Sequence, residues 1–324
     1  MARNSQTLNR YLGFAALAVE TFLLRRERPY LFILVINDKC NLDCFYCSIK
    51  NSGQYDLDYT SVRSALSTAH DRGHRALVIT GGEPMLWQEN HARIHDVVAY
   101  AQGLGYRDIA LFSNGTRPLD IANITFIVTV DGTRDSHNAI RRHTYDTILE
   151  HVSAAKSPVI ASITLSKSNA DALETAIQQI AGSGLFAGIT FNLLTSRLDI
   201  VARHGFLGEE RNLVLERIWK LKRQGYPIVL SRAAYRALRD NDWTRPVKQI
   251  ELMAGRRIFT CCRDVDNPDV CQNCGYSSCV EISQALAGQP SAIYQLLKIS
   301  RKDRTIPSSG RPIPPQSLNV RQND

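Results

Sequence analysis

Six short apolar runs recur along the first two thirds of the chain: "LFILVI" (Leu31–Ile36), "ALVIT" (Ala76–Thr80), "DIALFS" (Asp108–Ser113), "FIVTV" (Phe126–Val130), "VIASITL" (Val159–Leu165) and "GITFNLL" (Gly188–Leu194). They are rich in β-branched residues and barely alternate with polar ones, which predicts strands buried on both faces of a parallel sheet. Between them the spacing becomes helical, over Thr60–Arg72, Ala92–Gly103, Tyr145–Ala155 and Ala170–Ala181. Consecutive β/α units predict an α/β fold. It would be a partial (β/α)6 barrel of parallel strands, or else an open doubly wound sheet. In both, chemistry sits at the carboxyl ends of the strands.

From Leu213 the pattern changes. "LVLERIWKLKRQG" reads as a helix ended by Gly225, "PIVLS" as a short strand and Arg232–Asp240 as a second helix. After Ser300, Pro, Ser and charge dominate, which predicts a disordered tail over 301–324. At the other end, 1–28 reads as an amphipathic helix. Its apolar stretch is interrupted by Glu20 and is shorter than the roughly 20 residues that span a bilayer. Two readings stay open: it packs on the domain, or it lies on a membrane surface with "RRER" among the headgroups. The expected organisation is a helix over 1–28, a core over 29–205, a small cysteine-rich C-terminal extension over 206–300, and the tail.

Composition narrows the field. The 324 residues are 44 % hydrophobic and 22 % charged, an ordinary globular balance. The net charge of +8 favours anionic partners without choosing among them. No RNA-binding module or interleaved aromatic motif accompanies it, so nucleic acid is not expected. Eight cysteines fall in two tight groups, Cys40–Cys47 and Cys261–Cys279. Such clustering in a long α/β chain points to metal binding in a reducing compartment, hence the cytoplasm, with membrane association if the first helix lies on a bilayer.

The first group is "CNLDCFYCS", with Cys40, Cys44 and Cys47 in the pattern C-x3-C-x2-C directly after a strand. Three thiolates leave a fourfold site incomplete. An open metal position is what a catalytic site requires, whereas structural zinc wants a fourth ligand nearby. The spacing, with aromatic Tyr46 before the last cysteine, resembles the defining loop of the radical S-adenosylmethionine (radical SAM) superfamily. The resemblance implies a [4Fe–4S] cluster on these three cysteines, with the amine and carboxylate of SAM on the fourth iron. The reduced cluster would then cleave SAM to a 5′-deoxyadenosyl radical that abstracts hydrogen from substrate.

Later strand ends extend the resemblance over roughly Leu31 to Leu194. "TGGEP" resembles the family's GGE motif: Gly81 and Gly82 would let backbone approach the ligand, and Glu83 would accept from the SAM ammonium. "FSNGT" places Asn114 near the cofactor, although an Asn-Gly turn explains it equally. "TVDGTRDSHNAIR" resembles a stretch in which the first hydroxyl and the closing arginine hold the SAM carboxylate. Thr129 and Arg141 occupy those positions, and Asp131–Gly132 reads as a turn. Ser162 and Thr164 are expected ribose contacts.

The second group gives C-x2-C-x4-C through Cys271, Cys274 and Cys279, with Cys262 as fourth thiolate and Cys261 as its alternative. It resembles the close of the SPASM/Twitch extensions and implies one auxiliary [4Fe–4S] cluster. Zinc remains the alternative. It departs from them in showing no evident glycine-bounded hairpin before the cysteines and no full seven-cysteine set. The expectation is an oxidoreductase of the radical SAM type acting on a small-molecule or peptide substrate and reduced by a donor such as flavodoxin or ferredoxin. Lipid or RNA modification and a non-catalytic iron–sulfur or zinc scaffold are the alternatives.

Overall fold

The computed structural model describes residues 28–301. The expected N-terminal helix and most of the expected tail lie outside the described residues.

The six expected strands form within a residue or so of their expected ends: β1 (Leu31–Asn37), β2 (Ala76–Gly81), β5 (Asp108–Ser113), β6 (Thr125–Thr129), β7 (Val159–Leu165) and β8 (Gly188–Leu193). A two-residue ribbon, β3 (Gln88–Glu89) with β4 (Ala92–Arg93), interrupts the sequence order. Two further strands, β9 (Ile250–Ala254) and β10 (Arg257–Thr260), come from the C-terminal region. The main sheet runs β10-β9-β1-β2-β5-β6-β7-β8, parallel throughout except for β10 against β9. No ladder joins β8 to β10, so the sheet stays an incomplete barrel. Because the central strands run one way, Asn37, Gly81, Ser113 and Thr129 all emerge at the same edge.

The connecting helices are α1 (Tyr59–Asp71), α2 (Ile94–Leu104), α3 (Arg134–Arg141), α4 (Tyr145–Ser153) and α5 (Leu173–Gly182). Asp58 caps α1 by accepting from the Ser61 amide at 2.7 Å. One continuous core of Phe32, Leu34, Ile79, Leu111, Phe126, Ile163 and neighbours fills the space between sheet and helices. Then follow α6 (Leu198–His204), α7 (Gly208–Arg223), α8 (Arg232–Asp240), α9 (Pro268–Gln272), α10 (Ser277–Leu286) and α11 (Pro290–Arg301).

Three expectations need correction. "PIVLS" makes no strand in a ladder; Ile228 forms only an isolated bridge to Ile189. The segment 206–300 is not separate from the core sheet, since β9 pairs in parallel with β1 from Leu31↔Ile250 to Val35↔Ala254. And a glycine-bounded hairpin does precede the second cysteine group. It is β9–β10, turning at Gly255 (φ +58°) and delivering Cys261 just after Thr260.

That hairpin defines how the fold is finished. Residues 261–276 leave the β10 edge and reach the opposite edge, where the Leu193 amide donates to the Gly275 carbonyl at 3.0 Å. Gly275 suits this contact, because a Cβ there would lie 2.5 Å from the Leu193 Cβ. The second cysteine segment therefore ties together the two sheet edges that strand pairing leaves apart.

Candidate active site

The first cysteine loop is built outward from β1. Asp38 is buried and accepts from the Gln54 amide at 2.7 Å and the Ser52 hydroxyl at 2.5 Å. Asn51 closes the loop on itself: its side chain accepts from the Cys40 amide at 3.0 Å and donates to the Cys40 carbonyl at 3.2 Å. A turn from Cys44 to Cys47 (3.1 Å) brings the last two thiols round. Cys44 is buried, whereas Cys40 and Cys47 are half-buried. Burial pushes the Cys44 thiol up to about 11, despite the Arg141 cation nearby.

Gly81 and Gly82 sit against the root of the cysteine loop. A Cβ on Gly81 would lie 2.4 Å from the Asn37 carbonyl oxygen, and one on Gly82 would lie 2.4 Å from those of Asp38 and Lys39. The glycines therefore let the end of β2 abut the root of the cysteine loop. Two backbone bonds lock the contact, Gly82 N–H to Asn37 O (2.9 Å) and Glu83 N–H to Lys39 O (2.7 Å). The Glu83 carboxylate is tied down by the same edge. It is fully buried and already accepts from the Asn114 amide (2.6 Å), the Ser113 hydroxyl (3.0 Å) and the Met85 amide (3.0 Å). Burial raises its pKa against those donors. Glu83 thus joins the ends of β2 and β5.

Asn114 is a brace rather than a free turn residue. Its amide nitrogen donates to Asn41 Oδ1 at 2.9 Å and approaches the Cys40 sulfur at 3.7 Å. The Leu42 amide reaches the same sulfur at 3.4 Å. Two N–H groups aimed at one sulfur suit a thiolate. Among the described residues no three Cys, His, Asp or Glu side chains converge on a single ion.

Beyond β6 the expected turn is a dense polar knot. Asp131 is fully buried, accepting from Arg141 Nε at 2.5 Å, from the Thr164 amide at 2.8 Å and from the Tyr46 hydroxyl. Arg141 also donates to the Tyr46 oxygen. Burial works against the Arg141 charge, but Asp131 outweighs it and holds the guanidinium protonated. Tyr46, pushed up by burial, keeps its proton. His137 sits beneath, accepting from the Asp131 amide at Nδ1 (3.1 Å) and meeting the Thr144 hydroxyl through Nε2 (3.1 Å). Burial lowers its pKa to about 4, so it is neutral, and these partners place its proton on Nε2. Gly132 has φ +125°, and a Cβ there would collide with the Ser136 hydroxyl at 2.1 Å, so the turn demands glycine.

Asp131 and His137 carry this arrangement, yet neither was expected to. The available signal was their spacing around Asp-Gly. Thr129 ends β6, half-exposed, opposite Ser162 on β7, whose side chain is buried. Thr164 meets Asp131 through its amide.

The second cysteine segment makes a separate pocket. Cys261, Cys262, Cys271 and Cys274 line one narrow cleft, part of it open to solvent. Cys261 takes a left-handed backbone (φ +72°), and both adjacent thiols line the cleft. Cys279 is not in the lining; it lies behind, with its thiol against that of Cys261. Burial pushes the Cys274 thiol up to about 12. Two arginines clamp the backbone: Arg211 donates to the carbonyls of Asn273 (3.0 Å) and Cys274 (2.9 Å), and Arg245 to that of Gln272 (2.8 Å). Arg263 reaches from this segment to the Ser48 hydroxyl at 2.9 Å, so the two cysteine loops touch.

Residues 34–179 match the family model "Radical SAM superfamily". The sporulation killing factor maturation protein SkfB of Bacillus subtilis is 26 % identical over 174 residues, 49 % of this chain and 41 % of that protein. A probable GTP 3′,8-cyclase of Saccharolobus islandicus is 27 % identical over 117 residues, 36 % of this chain and 37 % of that protein. The chain thus spans about two fifths of the length of these curated relatives. Among solved structures, Streptococcus suis SuiB bound to S-adenosylmethionine superposes with a TM-score of 0.59 at 10 % identity, covering 75 % of this chain and 62 % of SuiB. SuiB has also been solved bound to precursor peptide SuiA. The incomplete parallel barrel, the three thiols at its β1 end and the matched family model agree that residues 34–179 form a radical SAM domain.

Proposed function

We propose that this protein is a radical SAM enzyme acting on a peptide. When bound, a [4Fe–4S] cluster and SAM supply one-electron cleavage of SAM to a 5′-deoxyadenosyl radical able to abstract hydrogen. Cys40, Cys44 and Cys47 hold the cluster. The observation that carries the reading is the meeting of this three-thiol loop with the Asp131–Arg141–Tyr46 knot at one edge of the sheet. Arg141 has donors left beyond its bonds to Asp131 and Tyr46 and takes the SAM carboxylate. Thr129 adds a hydroxyl, and the backbone of Gly81–Glu83 with the Glu83 carboxylate faces the SAM amine. Asn114 and Ser162 hold the walls of this site.

The C-terminal pocket takes one auxiliary [4Fe–4S] cluster on Cys262, Cys271, Cys274 and Cys261, with Cys279 as a buttress. A reducing protein of the flavodoxin or ferredoxin type supplies electrons. Peptide is favoured over small metabolite because of the likeness to SkfB, a maturation protein. Among the described residues no helix is long and apolar enough to cross a membrane. The proposed contact of residues 1–28 with a membrane surface stands on their sequence alone.

Anaerobically reconstituted protein, reduced with dithionite and given SAM, should release 5′-deoxyadenosine. Variants lacking the three N-terminal cysteines should not, and equal release by both would refute the assignment. Deuterium passing into 5′-deoxyadenosine from labelled peptides supports the peptide class. Transfer only from labelled small metabolites would replace it.

A further inference from the structure

We propose that Trp243 and Arg245 set the reduction potential of the C-terminal centre, making it a redox-active site rather than a passive brace. This rests on the reading above that the pocket takes an iron–sulfur cluster. Trp243 lines the same cleft as the four cysteines and is 8 % exposed. Its indole N–H is buried and has no hydrogen-bond partner. Leaving such a donor unmade costs on the order of 1–3 kcal/mol, so a fold retains one where an acceptor arrives later. Thiolate or sulfide sulfur is an acceptor of the right kind in a pocket of cysteines.

Arg245 adds charge to the same wall. Its guanidinium lies 4.5 Å from the centre of the Trp243 ring, and it donates to the Cys271 carbonyl at 3.3 Å. It is held by Asn241 as well, through Oδ1 at 3.0 Å and the carbonyl at 2.6 Å. No carboxylate lines the cleft; the nearby acid is Asp264, beside Cys262. One-electron reduction of a [4Fe–4S]2+ core to [4Fe–4S]+ adds one negative charge to the pocket. An N–H aimed at sulfur and a fixed guanidinium both stabilise that added charge. Hydrogen bonds to sulfur and net charge are the levers that move cluster potentials. Here both push upward, towards easier reduction.

The test uses full-length protein carrying Cys40→Ala, Cys44→Ala and Cys47→Ala, so that only the C-terminal centre can bind iron. It is reconstituted anaerobically and titrated with dithionite, itself oxidised as the cluster is reduced, under EPR. At the midpoint of this background, Trp243→Phe should lower the ratio of reduced to oxidised cluster about tenfold, a shift of about 59 mV for one electron. Arg245→Gln should move it the same way. The reduced cluster should also show hyperfine coupling to an exchangeable proton that Trp243→Phe removes. A background protein that binds no iron overturns the cluster reading and the proposal with it. Bound cluster with unchanged midpoint and coupling in Trp243→Phe overturns the tuning alone. Arg245→Gln serves as the second potential readout should Trp243→Phe fail to fold, and an unchanged midpoint there also counts against the tuning.

Discussion

The two cysteine loops answer opposite requirements with the same residue. The first presents three thiols at the end of β1, two of them half-buried, with Arg141 and Tyr46 beside them. Its support comes from polar side chains: Asn51 bonds the Cys40 backbone, Asn114 the Asn41 side chain and Asp38 the Gln54 amide. The second lines a cleft with four thiols and is clamped through its carbonyls by Arg211 and Arg245. A site that must admit a ligand keeps coordination free. A site that joins two sheet edges gains from being filled.

The comparison breaks most sharply at Cys44, the buried member of the first loop. Cys44→Ala should remove one whole cluster and abolish release of 5′-deoxyadenosine while leaving the C-terminal centre, as read by iron and sulfide analysis. Loss of both clusters together would show that the loops are one unit, joined through Arg263 and Ser48.

The next largest effect belongs to the ion pair. Arg141 and Asp131 are 8 % and 0 % exposed at their side chains. Asp131→Ala strands a buried guanidinium and should cost about 3–5 kcal/mol in urea unfolding. Replacing both, as Asp131→Leu with Arg141→Met, should recover most of that stability but not SAM binding. A double variant that still binds SAM would take Arg141 out of the site. Gly82→Ala comes after it. Its Cβ would press on two carbonyl oxygens at the root of the cysteine loop, so a loss on the order of 1–3 kcal/mol, with incomplete loading of the first cluster only, is expected.

His137 gives a pH signature. Its folded pKa of about 4 lies below the ordinary 6.5, so between these values the unfolded chain binds the extra proton. Stability is therefore complete above pH 6.5 and falls as the pH drops towards 4, by at most about 1.4 kcal/mol per unit. His137→Gln should lower stability at pH 7 but flatten this slope in denaturant titrations. An unchanged slope would assign the acid sensitivity to another group.

The six parallel strands were legible because a strand buried on both faces is written as an apolar run. β9 was not, since "IELMA" is short and carries Glu251, which faces Arg72 across the sheet edge. The polar "RDSHNAIR" hid α3, whose buried face is His137, Ile140 and Arg141. The two cysteine groups stood out by spacing alone. The partners of Gly81, Gly82 and Glu83 were not, because each lies on another strand's end and only folding brings them together. Asp131 was read as a turn because its function is a buried charge, and burial is a tertiary fact.

The smallest effect tests whether exposure or position decides what a charge near the first loop is worth. Lys39 adjoins Cys40 and pairs with Asp56 at 2.9 Å, but the two side chains are 67 % and 45 % exposed. Water and salt screen such a pair, and its contribution should stay below about 1 kcal/mol. Asp56→Asn should therefore shift unfolding hardly at all and leave iron loading unchanged, although it lies far closer in sequence to Cys40 than Asp131 does. If loading fell as it does in Gly82→Ala, the first loop would be held from its solvent side as well as from the sheet. Its contrast with the carbonyl-clamped second loop would then narrow to the number of thiols.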